Sequence, residues 1–467
     1  MADWAGRKVV VVGAARQGIA LARYLNKHGA QVTLTDQKTV DNLPDAVAAL
    51  ADIPVRWALG GHPFRLLEDC DLVCPSGGVS LDLPLIAEAQ QRGIQLSNDS
   101  QIFLETAPCK VIGITGSAGK TTTTTLVWRM ANAVSNGQQS ETGRRIFLGG
   151  NIGVPLISVV DEMTPGDLAV MELSSFQLEI MTFSPQVAAV LNITPNHLDR
   201  HGTMEAYTAA KARILEFQPP SGVTVLGRED PGAWGLAAKV RGRLFSFGIK
   251  PPPAARPGQS EACTFYRDGS LYLRDGQSET ELMPRSSIRL RGEHNLLNVL
   301  AACAISAAAG LPVEAMQAGV DGFNGIAHRL EFVRHWGGAD WYNDSIATAP
   351  ERAMAAIRSF TESLVLLIGG RDKHLPWDEF AALACQRVDH LILFGEMADL
   401  VEKAVTSAGP GVYQLVKCSS LREAVQAAAN IIEPGDVVLL SPGGASFDEF
   451  RDFEERGESF QKLVNEL

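Results

Sequence analysis

The sequence predicts an α/β protein of three domains: a Rossmann-like N-terminal domain, a central P-loop ATPase-like domain with a parallel sheet, and a C-terminal Rossmann-like α/β domain. Three observations carry this. KVVVVGAARQGIALARYLNKHGAQVTLTD, from Lys8, reads as apolar strand, glycine turn, amphipathic helix and second strand. CKVIGITGSAGKTTTT sets another glycine turn between an apolar strand and a helix. SLVLLIGG, HLILFGE and DVVLLSPGG are apolar strands ending in glycines and separated by helical stretches. A length of 467 residues fits three domains as a soft prior.

Taken in order, the first domain spans 1–105, adding strands at DLVCPSGG and GIQLSN with a helix, LPLIAEAQQR, between them. The second spans 106–325. Its strands VIGIT, DLAVMEL and VAAVLNIT are apolar runs suited to a buried parallel sheet, and its helices are MEAYTAAKARILEF and EHNLLNVLAACAISAAAG. KPPPAARPGQS (Lys250 to Ser260) reads as a surface loop within it, because strand-like pieces follow. The third domain spans 326–467. No internal repeat is evident.

With 41 Lys and Arg against 53 Asp and Glu, a formal charge of −12 argues against nucleic-acid or anionic-membrane binding over a basic surface, so an anionic ligand needs a local site. No apolar run approaches the roughly 20 residues of a membrane span, and the start has no signal-peptide layout, so a cytoplasmic protein without membrane insertion is expected. Seven scattered cysteines without paired spacing suggest reduced, mostly buried thiols.

The first turn has Gly13 and Gly18, but Ala15 stands where a dinucleotide fingerprint has its middle glycine. Asp36 sits where a ribose-binding acid would. The helix N-terminus can still receive some other nucleotide's phosphate. In the second turn, Gly116, Ser117, Ala118, Gly119, Lys120 and Thr121 form a GxxGK[ST] loop; the longer Walker pattern would need glycine where Ile114 stands. Loop amides can wrap phosphate oxygens, the lysine can meet the outer phosphates, and the hydroxyl can coordinate Mg2+. Of the five threonines 121–125, only Thr121 and Thr122 are placed to face phosphate. Glu172 ends an apolar strand within reach of such a metal; alone, a strand-end glutamate is more often solvated. His197 and Lys211 follow, a pair that means little without context.

GSAGKT, GGNIG, MELSSFQLE, NITPNHLDRHG, GEHNLLN, HRLE, NDSIAT and SPGGASFDEF, in this order along the whole chain, together resemble the bacterial Mur ligases, most nearly the glutamate-adding members. The resemblance implies a uridine-nucleotide substrate on the first domain and ATP on the second, which gives the two glycine turns separate ligands. It implies an ATP- and Mg2+-dependent ligase adding D-glutamate to UDP-N-acetylmuramoyl-L-alanine through an acyl phosphate, in peptidoglycan precursor synthesis, acting as a monomer. Carried over by position, Lys120, Glu172, His197 and Lys211 are catalytic, and Thr121, Glu172, His197 and a carbamylated Lys211 hold metal. Asn295, Asn298, Arg329 and Asp344 join the loop around ATP, Arg329 reaching the γ-phosphate upon closure of the third domain. Arg16, Gln17, Asp36, Ser76, Asn151, Ser174 and Gln177 take the UDP-sugar, and Thr348, Lys373, Ser446 and Phe453 take glutamate.

Two departures stand out. Ile346 replaces the lysine of the family's usual DSKAT, removing a cation near glutamate and leaving D against L open, and SGG (Ser76 to Gly78) replaces SPG. The alternatives are a related Mur ligase adding L-glutamate or another amino acid, a folylpolyglutamate synthase, which has no use for the first domain, and an NAD-binding regulator, which has no use for Glu172, His197 and Lys211 together.

Overall fold

In the computed structural model, which describes residues 3–135, 143–252, 262–409 and 414–467, the chain divides into two compact units, Met1–Gly322 and Phe323–Leu467. Most of the Lys250–Ser260 loop lies outside the described residues.

The first unit carries two sheets. β1 (Lys8–Val12), β2 (Gln31–Asp36), β3 (Arg56–Leu59), β4 (Leu72–Pro75) and β5 (Gln95–Leu96) form a parallel sheet in the order β3-β2-β1-β4-β5. β1 is apolar and almost wholly buried because helices cover both faces of a parallel sheet. Its chain turns at Gly13 into α1 (Arg16–Lys27). α2 (Asp99–Thr106), capped by the Asn98 side chain, leads out of the sheet.

The second sheet has nine strands: β6 (Lys110–Thr115), β7 (Ile146–Gly150), β8 (Leu168–Glu172), β9 (Val187–Val190), β10 (Val223–Gly227), β11 (Arg243–Phe247), β12 (Ala262–Arg267), β13 (Ser270–Asp275) and β14 (Ser278–Pro284). The order is β14-β13-β12-β11-β10-β9-β6-β8-β7, parallel except for the antiparallel β12-β13-β14 edge. α3 (Lys120–Ser135) follows the glycine loop after β6, and α4 (Met204–Glu216) and α5 (Glu293–Ala309) complete the layers used below. One apolar cluster runs from Val9 and Leu25 through Phe103 to Met171 and Leu226, so both sheets share a continuous core.

In the second unit, β15 (Glu331–Trp336), β16 (Ala339–Asn343), β17 (Leu364–Gly369), β18 (His390–Phe394), β19 (Gln414–Lys417) and β20 (Val437–Gly443) take the order β15-β16-β20-β17-β18-β19, with only β15 antiparallel. β17 and β20 are buried throughout, which matches the unbroken apolar sequence of β17 and the VVLL run that opens β20. Separate apolar clusters pack on the two faces, one including α6 (Pro350–Ile357) and the other α7 (Phe453–Glu466). Among the described residues no helix is long and apolar enough to cross a membrane.

Candidate functional site

Parallel pairing decides where the first cluster forms. Ile114 on β6 is in register with Glu172 on β8, so the glycine loop and the Glu172 carboxylate emerge side by side at the carboxyl ends of adjacent strands. Glu172 is only 1% exposed; it accepts from the Thr121 hydroxyl at 2.9 Å and the Asn151 amide at 2.8 Å. Two amines meet on the loop from the other side. Lys120 Nζ donates to Gly116 O at 2.8 Å and Ser117 O at 3.3 Å, and Lys211 Nζ, from α4, donates to the same Gly116 O at 2.9 Å. Burial, with Lys120 adding repulsion and Glu172 opposing, pushes the Lys211 amine down to about 7. Thr123 and Thr124 are buried, Thr121 and Thr122 half-buried.

Lys211 lies over the Tyr207 ring at 4.7 Å, and the Tyr207 hydroxyl is 3.0 Å from Ser117 Oγ, which donates to Thr194 O at 2.9 Å. His197, three residues beyond Thr194, adopts a left-handed conformation (φ 53°) and sets its ring 5.2 Å from that of Phe176. His201 stacks on Phe176 and bonds Ser175 Oγ at 2.9 Å. The structure thus gathers Lys120, Thr121, Glu172 and Lys211 around Gly116 and puts His197 on the segment beside them. Tyr207 has no motif of its own; only its helical spacing from Lys211 could have pointed to it.

A cavity of about 370 Å³ opens next to the loop, lined by Gly119, Asn192, Phe247, His294, Leu297 and Asn298 among others. Gly119 has φ +79°, and a Cβ there would meet Asn298 Oδ1 at 2.2 Å, so only glycine lets the loop pass. Asn298 donates to Asn295 Oδ1 at 3.0 Å, and Asn295 is tied to Arg291 O at 2.8 Å, so Asn295 orients Asn298. Asn192 grips Ala118 through both its N–H and C=O, at 2.8 and 3.1 Å. Burial lowers the His294 pKa, favouring a neutral imidazole. Asn192, Phe247 and His294 were missed from sequence; the first and last lie inside NIT and GEHNLLN, while Phe247 merely ends a strand.

The first turn is tied to this cluster. Asp36 accepts from the Ala14 and Lys38 amides at 2.8 and 2.9 Å, fixing the turn's backbone. Ser76 Oγ donates to Gly13 O at 3.1 Å, and Gln17 accepts from Gly77 N–H at 3.2 Å. Arg16 reaches Asn151 O at 3.4 Å, and Asn151 in turn bonds Glu172, so three hydrogen bonds link the two glycine turns. Ser174 and Gln177 cap the short helix after Glu172, and Gln177 reaches Ser100 Oγ at 2.8 Å.

In the second unit, Arg329 is exposed between two left-handed residues, His328 (φ 61°) and Leu330 (φ 42°), a strained presentation for non-glycine side chains. Leu330 N–H and Ser441 Oγ both donate to Asp344, whose carboxyl burial pushes up to about 7. Lys373 Nζ donates to Thr348 Oγ1 at 2.9 Å. Ser446 is buried, and Phe453 opens α7, its carbonyl accepting from Ser345 Oγ at 2.8 Å.

Three family models match in sequence order: the Mur ligase MurD-like N-terminal domain over residues 7–98, the Mur ligase middle domain over 114–306, and the Mur ligase glutamate ligase domain over 328–444. A UDP-N-acetylmuramoylalanine–D-glutamate ligase of Symbiobacterium thermophilum is 40% identical, with 98% of each chain covered. One from Koribacter versatilis is 37% identical over 100% of this chain and 98% of its own. Among solved structures, MurF of Acinetobacter baumannii (TM-score 0.56, 18% identity, 98% and 93% coverage) and the UDP-N-acetylmuramate–alanine ligase MurC of Thermotoga maritima (TM-score 0.52, 19% identity, 98% and 99% coverage) share the fold. With near-complete coverage at 40% identity, and those three domain types in order, the chain belongs to the Mur ligase family.

Proposed function

We propose that this enzyme uses ATP to join the amine of D-glutamate to the L-alanyl carboxylate of UDP-N-acetylmuramoyl-L-alanine, as its relatives are named for doing. The observation that carries the proposal is the run of bonds from Arg16 through Asn151 and Glu172 to Thr121, which couples a uridine-nucleotide turn to a triphosphate loop. The substrate carboxylate attacks the γ-phosphorus, ADP leaves, and the glutamate amine displaces phosphate from the resulting acyl phosphate. No protein nucleophile is needed; the chain's work is positioning and charge stabilisation.

Thr121 and Glu172 are oxygen donors 2.9 Å apart, the donor type Mg2+ takes when phosphates fill most of its shell, so the residues fit that ion. When bound, it neutralises charge on the triphosphate. Lys120 supplies a second positive charge to the phosphates. Lys211, with an amine pushed down to about 7, is largely ready to lose its proton and add CO2, becoming a carbamate whose oxygens replace an ammonium beside Glu172. His197 lies on the adjoining segment as a further donor. The pocket lined by Phe247, His294 and Asn298 has the apolar lining and polar edge that suit the adenosine. Arg16, Gln17, Asp36, Ser76, Ser174 and Gln177 hold the UDP-sugar, and Thr348, Lys373, Ser446 and Phe453 hold glutamate.

The test is an assay with ATP, Mg2+, UDP-N-acetylmuramoyl-L-alanine and either D- or L-glutamate, reading phosphate release and product mass. Product with D-glutamate alone supports the proposal. ADP release that ignores the UDP-sugar, or product with L-glutamate alone, overturns it.

A further inference from the structure

Three cationic side chains converge on one loop of the second unit, residues 344–349 after β16. Lys373 Nζ donates to Thr348 Oγ1 at 2.9 Å, and Arg352, in the first turn of α6, donates from NH1 to Ile346 O at 3.3 Å. Thr348 N–H bonds the same Ile346 O at 2.9 Å, which folds the loop so that the two cationic heads rest on neighbouring atoms. Beneath them Arg456, 0% exposed, donates to Ser345 Oγ at 3.0 Å, Ser345 O at 2.9 Å and Gly444 O at 3.2 Å.

The guanidinium next to this group is neutralised: Arg371 forks onto Glu396, both bonds 2.9 Å. Among the described residues no carboxylate stands within ion-pair distance of Arg352, Lys373 or Arg456. Asp448 and Glu449 act on Arg456, and Asp344 on Arg352, only through space, and Asp344 is itself hydrogen-bonded by Ser441 and Leu330. The unbalanced charge is felt locally: burial first, then Arg352 and Arg456, lowers the Lys373 pKa. Repulsion of this kind, kept on one loop, is relieved when an anion enters.

We propose that Arg352 is a specificity-determining residue for the incoming amino acid, pairing with Lys373 to receive one carboxylate of a dicarboxylic substrate where Ile346 offers no charge. This rests on the glutamate-adding activity proposed above. Arg352 presents a fork of N–H donors matched to a carboxylate, and a neutral amide in its place, as in glutamine, forfeits both ion pairs.

The experiment compares Arg352→Met and Arg352→Lys with wild type in the full chain, measuring kcat and KM for D-glutamate and D-glutamine with ATP and UDP-sugar saturating. Arg352 is exposed, so both variants should fold, which their melting temperatures check. Arg352→Met should raise the glutamate KM at least about tenfold, with a much smaller change in kcat, and cut preference for glutamate over glutamine about as much. The KM for ATP and UDP-sugar should stay put, and Arg352→Lys should recover part of the loss. A glutamate KM in Arg352→Met within about twofold of wild type overturns the assignment. Wild type that ligates no glutamate sinks the activity itself; wild-type turnover beside an unaffected Arg352→Met sinks only the role of Arg352.

Discussion

Asp344→Asn should make the protein more stable and less active at once. Asp344 is 5% exposed and accepts from Ser441 Oγ at 2.8 Å and Leu330 N–H at 3.2 Å. Burial outweighs those donors and the nearby Arg329 and Arg352, moving the carboxyl from 3.8 to about 7. Between those values the folded chain keeps a proton that the unfolded chain has released, so stability falls as pH rises across that window and levels off above it. At about 1.36 kcal/mol per pKa unit the full penalty is on the order of 4 kcal/mol above pH 7 and nil below the unfolded value. Asparagine removes the titration but keeps the bonds: its carbonyl accepts from Leu330, and its amide donates to a reoriented Ser441 hydroxyl. The variant should gain about 2–4 kcal/mol at pH 8 and shift by less than about 0.5 kcal/mol near pH 4. Urea unfolding at both pH values reads the difference, and hydrogen exchange in peptide 339–343 assigns it to the second unit. Ligase turnover at pH 8 should fall at least about tenfold, since a carboxylate kept at such a cost is kept for function. A stability difference that does not change with pH, or a loss at pH 8, refutes the burial argument.

Further expectations follow from the first unit. Glu172→Gln keeps the side chain's size but removes its charge, so kcat should drop about 100-fold or more and the Mg2+ concentration for half-maximal rate should rise; an unchanged Mg2+ titration counts against a metal-facing Glu172. Gly119→Ala forces a left-handed alanine, about 1–2 kcal/mol, into contact with Asn298 Oδ1, and should raise the ATP KM about tenfold or more while leaving the glutamate KM alone. With an amine titrating at about 7, wild type stripped of bicarbonate should lose activity and regain it on adding bicarbonate, more fully at pH 8 than at pH 6, whereas Lys211→Met should stay inactive. Indifference of the wild type to bicarbonate would contradict the carbamate.

The Gly116–Thr121 loop was legible because its chemistry is contiguous: strand, amide-rich turn, lysine and hydroxyl follow one another, and backbone geometry alone brings them together. Asn295 and Asn298 were reached only through the family resemblance; their sharing one face of α5 follows from their being three residues apart on a helix. Glu172 was half legible. Its place at a strand end could be read, but its closeness to Thr121 depends on β6 and β8 pairing with Ile114 opposite it. Phe247 carries no local signature and Asn192 only its place in NITPNHLDRHG, and they meet because β11 and β9 end where α5 passes.

By itself the sequence determined the alternation of strands and helices, the two glycine turns and the family, because short-range periodicity and turn sterics are written in adjacent residues. Tertiary structure alone decided which charges are left unbalanced. The Lys211 pKa is lowered to about 7 by a buried site beside Lys120, and Lys373 and Arg456 come from distant stretches to join Arg352 on one loop. Electrostatic character belongs to distance and burial, and both are set only when the sheets have packed.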